Sequence, residues 1–202
     1  VYDTSTQVRV LGTPSIDGKL DDDDLAVNYG QANFTDKNAG NSKTVNFSGF
    51  SLSGQDAANY TLSSQPASVL ADIEKRPVTI VGVDADDKIY NGTVDATVIT
   101  NENVQIVNNL DGENLSYVRG KAAFSDKSVG TDKLVSFTEF TLSGSSSSNY
   151  VLESQPANVT ANITPKSITI INIFVENKPY DGLNTAKILP GASLAGLISG
   201  DD

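Results

Sequence analysis

The sequence contains no cysteine, histidine, methionine or tryptophan. Without cysteine there can be no disulfide, thiolate nucleophile or cysteine metal site. Without histidine the commonest general base, the histidine-containing triads and the usual zinc ligand are excluded. The apolar runs are only a few residues long, so no segment is expected to span a bilayer. No charged-then-apolar leader is recognisable, and the lack of methionine indicates a segment of a longer protein.

Basic residues are also scarce, since 14 Lys and Arg stand against 25 Asp and Glu, for a net charge of -11. Such a chain repels a phosphate backbone, so nucleic acid is not an expected partner. Paired carboxylates can hydrolyse glycosides. A sugar pocket needs aromatic platforms, however, and the chain has only 7 Tyr and 7 Phe. We therefore expect no enzymatic activity.

A repeat of 90 residues dominates what the sequence does contain. Leu25–Arg76 and Leu115–Lys166 align without a gap, with 24 identities in 52 positions. The shared frame reads G-x-A-x-F-x-D-K, G-x-x-K-x-V-x-F, F-x-L-S-G and N-Y-x-L-x-S-Q-P-A-x-V-x-A-x-I. Such self-similarity is the signature of tandem structural units.

A tyrosine landmark recurs at the head of each repeat. It reads Tyr2-Asp3, Tyr90-Asn91-Gly92 and Tyr180-Asp181-Gly182. The sequence therefore predicts a first copy at 1–83, truncated at its start, a second copy at 84–173, and the beginning of a third at 174–202. Segment 167–173 is assigned to the end of the second copy. The alternative is that it docks into the first copy of a neighbouring molecule, which would build a head-to-tail chain.

The local pattern within each copy predicts β-strands. Apolar and polar residues alternate over Ala67–Ile73 and again over Ala157–Ile163, which is typical of half-buried strands. The apolar parity changes near Ser48-Gly49, which predicts a bulge or a crossing between sheets. No helical stripe is present. We expect an all-β fold of tandem antiparallel, immunoglobulin-like β-sandwiches of about 90 residues, and an elongated rod because the joints 74–76 and 164–166 are short.

The order of these motifs resembles a known family. Tyr-Asp-Gly, A-x-F-x-D-K, L-S-G-x-x-x-x-N-Y-x-L and a closing A-x-I strand are similar to the YDG-type repeat, related to the MBG-type repeats, of very large bacterial surface proteins and adhesins. The resemblance covers essentially the whole chain and departs at Tyr2-Asp3-Thr4 and Tyr90-Asn91-Gly92. It implies a secreted, extracellular stalk on the bacterial surface, with neighbouring repeats of the same chain as partners. The family lends no catalytic residues.

Two motifs are assigned structural roles. In the landmark, the tyrosine is expected to anchor a core or interdomain contact and the glycine to supply a positive φ. The second motif, Asn-Tyr, resembles the tyrosine corner of immunoglobulin-like sandwiches. The predicted structural residues are Tyr2, Asp3, Tyr90, Asn91, Gly92, Tyr180, Asp181, Gly182, Asn59, Tyr60, Asn149 and Tyr150.

No cofactor is expected, and calcium is the one candidate ion. Asp84, Asp86 and Asp87 form the candidate site, because calcium prefers several carboxylate and carbonyl oxygens. Further acidic runs lie at 21–24 and 201–202. No calcium-loop motif is present, so solvated charge is the competing interpretation. Likewise, the repeated pairs Asp36-Lys37 and Asp126-Lys127 could supply a lysine–asparagine isopeptide bond, although a turn fits adjacent residues better.

Two functions remain open at this level. In the first, the repeats are a stalk that extends a binding tip from the cell. In the second, each repeat itself binds a host surface glycan or protein, for which Tyr29 and Tyr117 are the only loose aromatic candidates. The repeated identities fall mainly on core and turn residue types, which favours the stalk.

Overall fold

The computed structural model describes residues 1–201. Strands make up 40% of the residues and helices 3%, so the all-β prediction is confirmed. Within the described residues, no helix is both long and apolar enough to cross a membrane.

Divided at the predicted copy boundaries 83 and 173, the strands fall into three groups. Those of the first copy are β1 Gln7–Val8, β2 Ala26–Asn28, β3 Gln31–Phe34, β4 Gly40–Ser48, β5 Ser51–Ser53, β6 Val69–Ile73 and β7 Arg76–Val81. Those of the second copy are β8 Asp84–Ala85, β9 Lys88–Ile89, β10 Asp95–Ala96, β11 Val98–Ile99, β12 Gln105–Val107, β13 Ser116–Val118, β14 Lys121–Phe124, β15 Gly130–Thr138, β16 Thr141–Ser143, β17 Tyr150–Leu152, β18 Val159–Thr164 and β19 Thr169–Ile171. The third copy begins with β20 Phe174–Val175, β21 Ile188–Leu189 and β22 Ser193–Ala195. Short 3-10 helices lie at Ala57–Asn59 and Ser147–Asn149.

Each of the two copies builds one main antiparallel sheet. Its order is β1-β3-β4-β6 in the first copy and β10-β14-β15-β18-β9 in the second, where β9 adds parallel to β18. The registers match, since Ala32 lies opposite Phe47 and Ala122 opposite Phe137. The long central strand of each sheet, β4 or β15, carries a register shift near its start. The strands predicted over Ala67–Ile73 and Ala157–Ile163 correspond to β6 and β18, which each begin two residues later, and β18 ends at Thr164.

The predicted crossing between sheets is also confirmed. β4 ends at Ser48 and Gly49 has φ +72°. The next strand, β5, pairs with β2 outside the main sheet. The backbones of Gly30 and Ser48 approach closely at this crossing. A Cβ on Gly30 would lie 2.0 Å from the Ser48 carbonyl oxygen, which explains the first glycine of the shared frame. The second copy repeats the crossing, and there β16 pairs with β13.

A smaller sheet links the copies in an unexpected way. Its order is β12-β7-β17. With the predicted boundary at 83, β7 falls in the first copy, whereas β12 and β17 fall in the second. β17 runs parallel to β7, and Leu152 lies opposite Val78.

The chain divides into two compact units, and each takes segments from both main copies. The first unit comprises 1–79, 106–118 and 141–154, and the second comprises 80–105, 119–140 and 155 onward. A compact unit groups residues that are close in space, whereas a repeat groups residues by sequence similarity. The copy boundaries at 83 and 173, the immunoglobulin-like arrangement and the rod therefore stay predictions.

The core of the first unit is shared between copies. Tyr2, Ile73 and Val78 lie in the predicted first copy and Tyr150 in the predicted second, and all four are buried. Partly buried side chains of both copies pack against them: Phe34, Ala39, Ile106, Leu110, Leu115 and Leu142. Since burial of apolar surface is the main stabilising term in folding, neither copy forms this core alone.

Candidate functional site

The two tyrosines of the repeated motifs meet in the core of the first unit. Tyr2, from the landmark, and Tyr150, from the Asn-Tyr pair, are 0% and 2% exposed. Their ring centroids are 5.5 Å apart with an interplanar angle of 77°, the edge-to-face geometry that aromatic rings prefer. The Tyr150 hydroxyl accepts a hydrogen bond of 3.3 Å from the Leu110 backbone N–H. We call this contact and its polar surroundings the joint.

Asn149 fixes the polar side of the joint. It is 4% exposed, and its Oδ1 accepts a hydrogen bond of 2.9 Å from the Ala39 backbone N–H. Its Nδ2 donates to the Asn38 side chain at 3.3 Å. The 3-10 helix Ser147–Asn149 places it there. A second-copy side chain therefore satisfies the backbone of the loop that follows the first copy's Asp-Lys pair.

Replacing Asn149 by alanine is expected to lower the free energy of unfolding by about 1–3 kcal/mol, because the Ala39 N–H would lose its partner away from water. The matched control is Asn59→Ala at the equivalent position of the first copy, where the asparagine is exposed. That change should stay within about 0.5 kcal/mol. Urea unfolding followed by circular dichroism compares the two. Equal losses of stability for Asn149→Ala and Asn59→Ala would mean that the Asn149 side chain does not stabilise the joint.

Glu113 forms an ion pair across the joint. Its Oε1 lies 3.1 Å from the Lys37 Nζ, and the Glu113 side chain is only 8% exposed. The Ser146 hydroxyl and then the Lys37 ammonium hold the pKa of Glu113 below its usual value. The buried Tyr2 hydroxyl lies beside this pair but makes no hydrogen bond of good geometry. Burial and the Glu113 carboxylate raise the pKa of Tyr2.

This arrangement predicts a pH dependence. A carboxyl whose pKa is lowered by folding stabilises the protein above its unfolded pKa, and the stabilisation is lost as the pH falls through the folded pKa. The free energy of unfolding of Glu113→Gln should therefore differ most from that of the parent chain at pH 7. The difference should shrink below pH 4.5, the ordinary pKa of this group. Urea titrations at several pH values measure it, with Glu102→Gln at an exposed site as control. A difference that stays constant from pH 7 to pH 3 would contradict the assignment.

The second unit contains the same Lys–acid–Tyr grouping. The Tyr90 hydroxyl donates to Asp201 at 2.8 Å, and the Lys127 Nζ lies 3.9 Å from the same carboxylate. Glu113 and Asp201 occupy equivalent places. Each follows a glycine, in the sequences Leu110-Asp111-Gly112-Glu113 and Ile198-Ser199-Gly200-Asp201. The sequence shows Asp201 only as part of an acidic run, does not single out Glu113, and predicts neither pairing. The repeated Lys37 and Lys127 were the available signal, and the acid could have been found by aligning segment 105–113 with segment 193–201.

Two side chains build the landmark turn. One is the asparagine or aspartate that follows the tyrosine, and the other is a lysine two residues before the tyrosine. The Asn91 Oδ1 accepts hydrogen bonds from the Thr93 N–H and the Lys88 Nζ at 3.1 and 3.0 Å. Gly92 follows with φ +79°. The third copy repeats the turn, as the Asp181 Oδ1 accepts from Leu183 N–H and Lys178 Nζ. In the first copy Asp3 accepts from Ser5 N–H, and Thr4 adopts φ +69°.

The remaining motif residues differ in burial. Tyr60 is half-buried, and its hydroxyl bonds to the Asp23 carboxylate and the Leu20 N–H. Tyr180 is 99% exposed. The same sequence motifs are therefore buried in the joint and half-buried or exposed elsewhere.

The predicted acidic site does not gather in space. In residues 1–201 no group of three or more acidic side chains is placed to hold a metal ion. Both Asp87 carboxylate oxygens accept hydrogen bonds from Asn162, at 2.6 and 3.0 Å. These bonds lower the pKa of Asp87. Asp84 accepts from the Ala85 N–H, and Asp86 donates its N–H to the Thr97 carbonyl. Calcium therefore stays a prediction without geometric support, and Asp202 lies outside the described residues.

The Asp-Lys pairs form turns and ion pairs. Asp36 accepts from the Asn38 N–H at 2.9 Å and pairs with Lys43. Asp126 does the same with Ser128 and Lys133. The Lys37 side chain is 46% exposed, whereas an isopeptide bond needs a buried lysine. The lysine of each pair instead faces an acid of the next copy. Lys37 faces Glu113, and Lys127 faces Asp201.

The fold and the joint define a tandem all-β repeat protein whose copies interlock. The family model of the YDG domain matches residues 1–67 and again 74–158, more than half of the chain. The chain therefore belongs to the YDG domain family. No curated protein and no solved structure shows significant similarity to it.

Proposed function

We propose that the chain forms structural stalk repeats of a bacterial surface adhesin, which extend a binding tip away from the cell. The observation that carries the proposal is the core of the first unit, where Tyr2 of the first match to the family packs with Tyr150 of the second. A series of copies joined in this way is held by side-chain packing as well as by the covalent backbone.

The connections support a rod. Only Glu74 and Lys75 separate β6 from β7, and Pro77 restricts the backbone at the start of β7. β7 then pairs with β12 on one edge and with β17 on the other. Such a link has little freedom to bend, so we infer an elongated array of immunoglobulin-like sandwiches. Neighbouring repeats are the proposed partners, and the bacterial surface is the proposed location.

Small-angle scattering and binding assays on the 202-residue chain test the proposal. A compact domain of this length has a radius of gyration of about 17 Å, and a rod should exceed that value clearly. A near-spherical particle would contradict the stalk. A glycan array and a cell-binding assay test the competing function, and specific binding by the repeats themselves would favour a recognition module.

A further inference from the structure

Asn91, in the landmark of the second copy, is the only asparagine of the sequence that a glycine follows. Glycine has no side chain to keep the asparagine carboxamide away from the next peptide nitrogen, so that nitrogen can attack the carboxamide. The Thr93 N–H donates to the Asn91 Oδ1 at 3.1 Å, and this bond folds the carboxamide back over the Gly92 peptide. Asn91 is exposed, and so is Asp3 at the same position of the first copy, although the whole second copy follows it. Water therefore reaches the carboxamide.

Three donors converge on the carbonyl oxygen of this carboxamide. Besides the Thr93 N–H, they are the Thr93 hydroxyl at 3.2 Å and the Lys88 ammonium at 3.0 Å. Lys88 is held in place, since its Nζ also donates to the Thr93 and Asp95 carbonyls at 2.7 and 2.8 Å. The same Nζ lies 5.2 Å from the centroid of the Phe124 ring. Fixed donors at an oxygen on which negative charge develops lower the barrier to attack on that carbonyl.

We propose that Asn91 deamidates to aspartate in the folded chain and that its own turn promotes the reaction. The Gly92 nitrogen gives its proton to water and bonds to the Asn91 Cγ, while Oδ1, held by the three donors, takes the negative charge. When the carbonyl forms again, the Cγ–Nδ2 bond breaks and Nδ2 leaves as ammonia. Water then adds to Cγ of the resulting succinimide and releases the Gly92 nitrogen, which leaves an aspartate at position 91 and an intact backbone.

The third copy shows how the product is held. Asp181 has the same position there, and its Oδ1 accepts from the Leu183 N–H at 3.0 Å and from the Lys178 Nζ at 2.8 Å. The turn at Asn91 has the same two donors, so an aspartate needs no rearrangement and gains an ion pair with Lys88. Burial lowers the pKa of Lys88, and a carboxylate beside it favours the charged form. The inference rests on this turn and is independent of the stalk function.

Peptide mass spectrometry of the full chain during incubation at neutral pH tests the inference. Asn91 should lose its amide, while Asn101 should keep it. Asn101 is also exposed and accepts a backbone N–H two residues on, but no glycine follows it. Lys88→Met should slow the reaction at least about tenfold, because losing one oxyanion donor costs about a hundredfold or more in an enclosed site and Asn91 is exposed. Lys178→Met, at the equivalent position of the third copy, is the control and should leave the rate at Asn91 unchanged.

Two further variants separate the chemistry from folding. Thr93→Val removes the hydroxyl donor but keeps the N–H, and it should also slow the reaction; it decides the matter if circular dichroism shows that Lys88→Met does not fold. Asn91→Asp carries the product from the start and should melt at a higher temperature than the fresh parent chain, which should approach it during incubation. An amide retained at Asn91 in the folded parent, parental rates in the folded donor variants, isoaspartate as the main product, or a lower melting temperature of Asn91→Asp would each overturn the inference.

Discussion

Replacing Tyr150 by alanine is expected to lower the free energy of unfolding of the chain by about 3–5 kcal/mol, the usual cost of truncating a buried aromatic side chain. Tyr150 is buried against Tyr2, and its hydroxyl accepts the Leu110 N–H. The substitution therefore opens a cavity in the core and also leaves a backbone donor without its partner. Urea unfolding followed by far-ultraviolet circular dichroism gives the value.

Tyr60 provides the matched control for this substitution. It has the same position in the first copy and also accepts a backbone N–H, from Leu20, but it is only half-buried. Tyr60→Ala should therefore cost about 1 kcal/mol, the typical effect of a substitution outside a tightly packed core. Similar losses for Tyr60→Ala and Tyr150→Ala would mean that the tyrosine matters within its own copy and not in the joint.

The second large effect is expected at Val78, which is 1% exposed in β7. Val78→Asp would place a carboxylate among the buried side chains of Tyr2, Ile73 and Tyr150. An unpaired buried charge is among the most destabilising changes known, so we expect a loss of at least about 3 kcal/mol. Ile168→Asp, at the equivalent exposed position, should change stability by no more than about 0.5 kcal/mol.

Hydrogen exchange shows which segments respond to Val78→Asp. The first unit should lose protection as a whole, over 1–79, 106–118 and 141–154, although these segments belong to two copies of the repeat. Loss confined to residues 1–83 would indicate that the first copy is an independent folding unit.

The features that the sequence predicts well are local. Alternation over seven residues is enough to place β6 and β18 to within two residues, and the change of parity at Ser48-Gly49 locates the crossing between sheets. Both follow from the period of two along a strand. The landmark turn is local as well, because Asn91 bonds to a residue two positions away.

The features that the sequence does not predict depend on contacts between copies. The parallel pairing of β17 with β7 joins residues more than 70 positions apart, and no periodicity encodes it. Glu113 lies outside the aligned frame, so its pairing with Lys37 was not foreseen. Burial also differs between identical motifs. Asn59-Tyr60 and Asn149-Tyr150 have the same letters, and only the second pair is buried.

The central claim is that successive copies stabilise each other through the joint, and a double-mutant cycle on Tyr2 and Tyr150 tests it most directly. The free energy of unfolding is measured for Tyr2→Ala, Tyr150→Ala, the double variant and the parent chain. Tyr60 with Tyr150 forms the control pair and should give additive effects. The account predicts a coupling between Tyr2 and Tyr150 of at least about 0.5 kcal/mol, the range for residues in contact. Effects that add to within about 0.3 kcal/mol, as for distant sites, would contradict it.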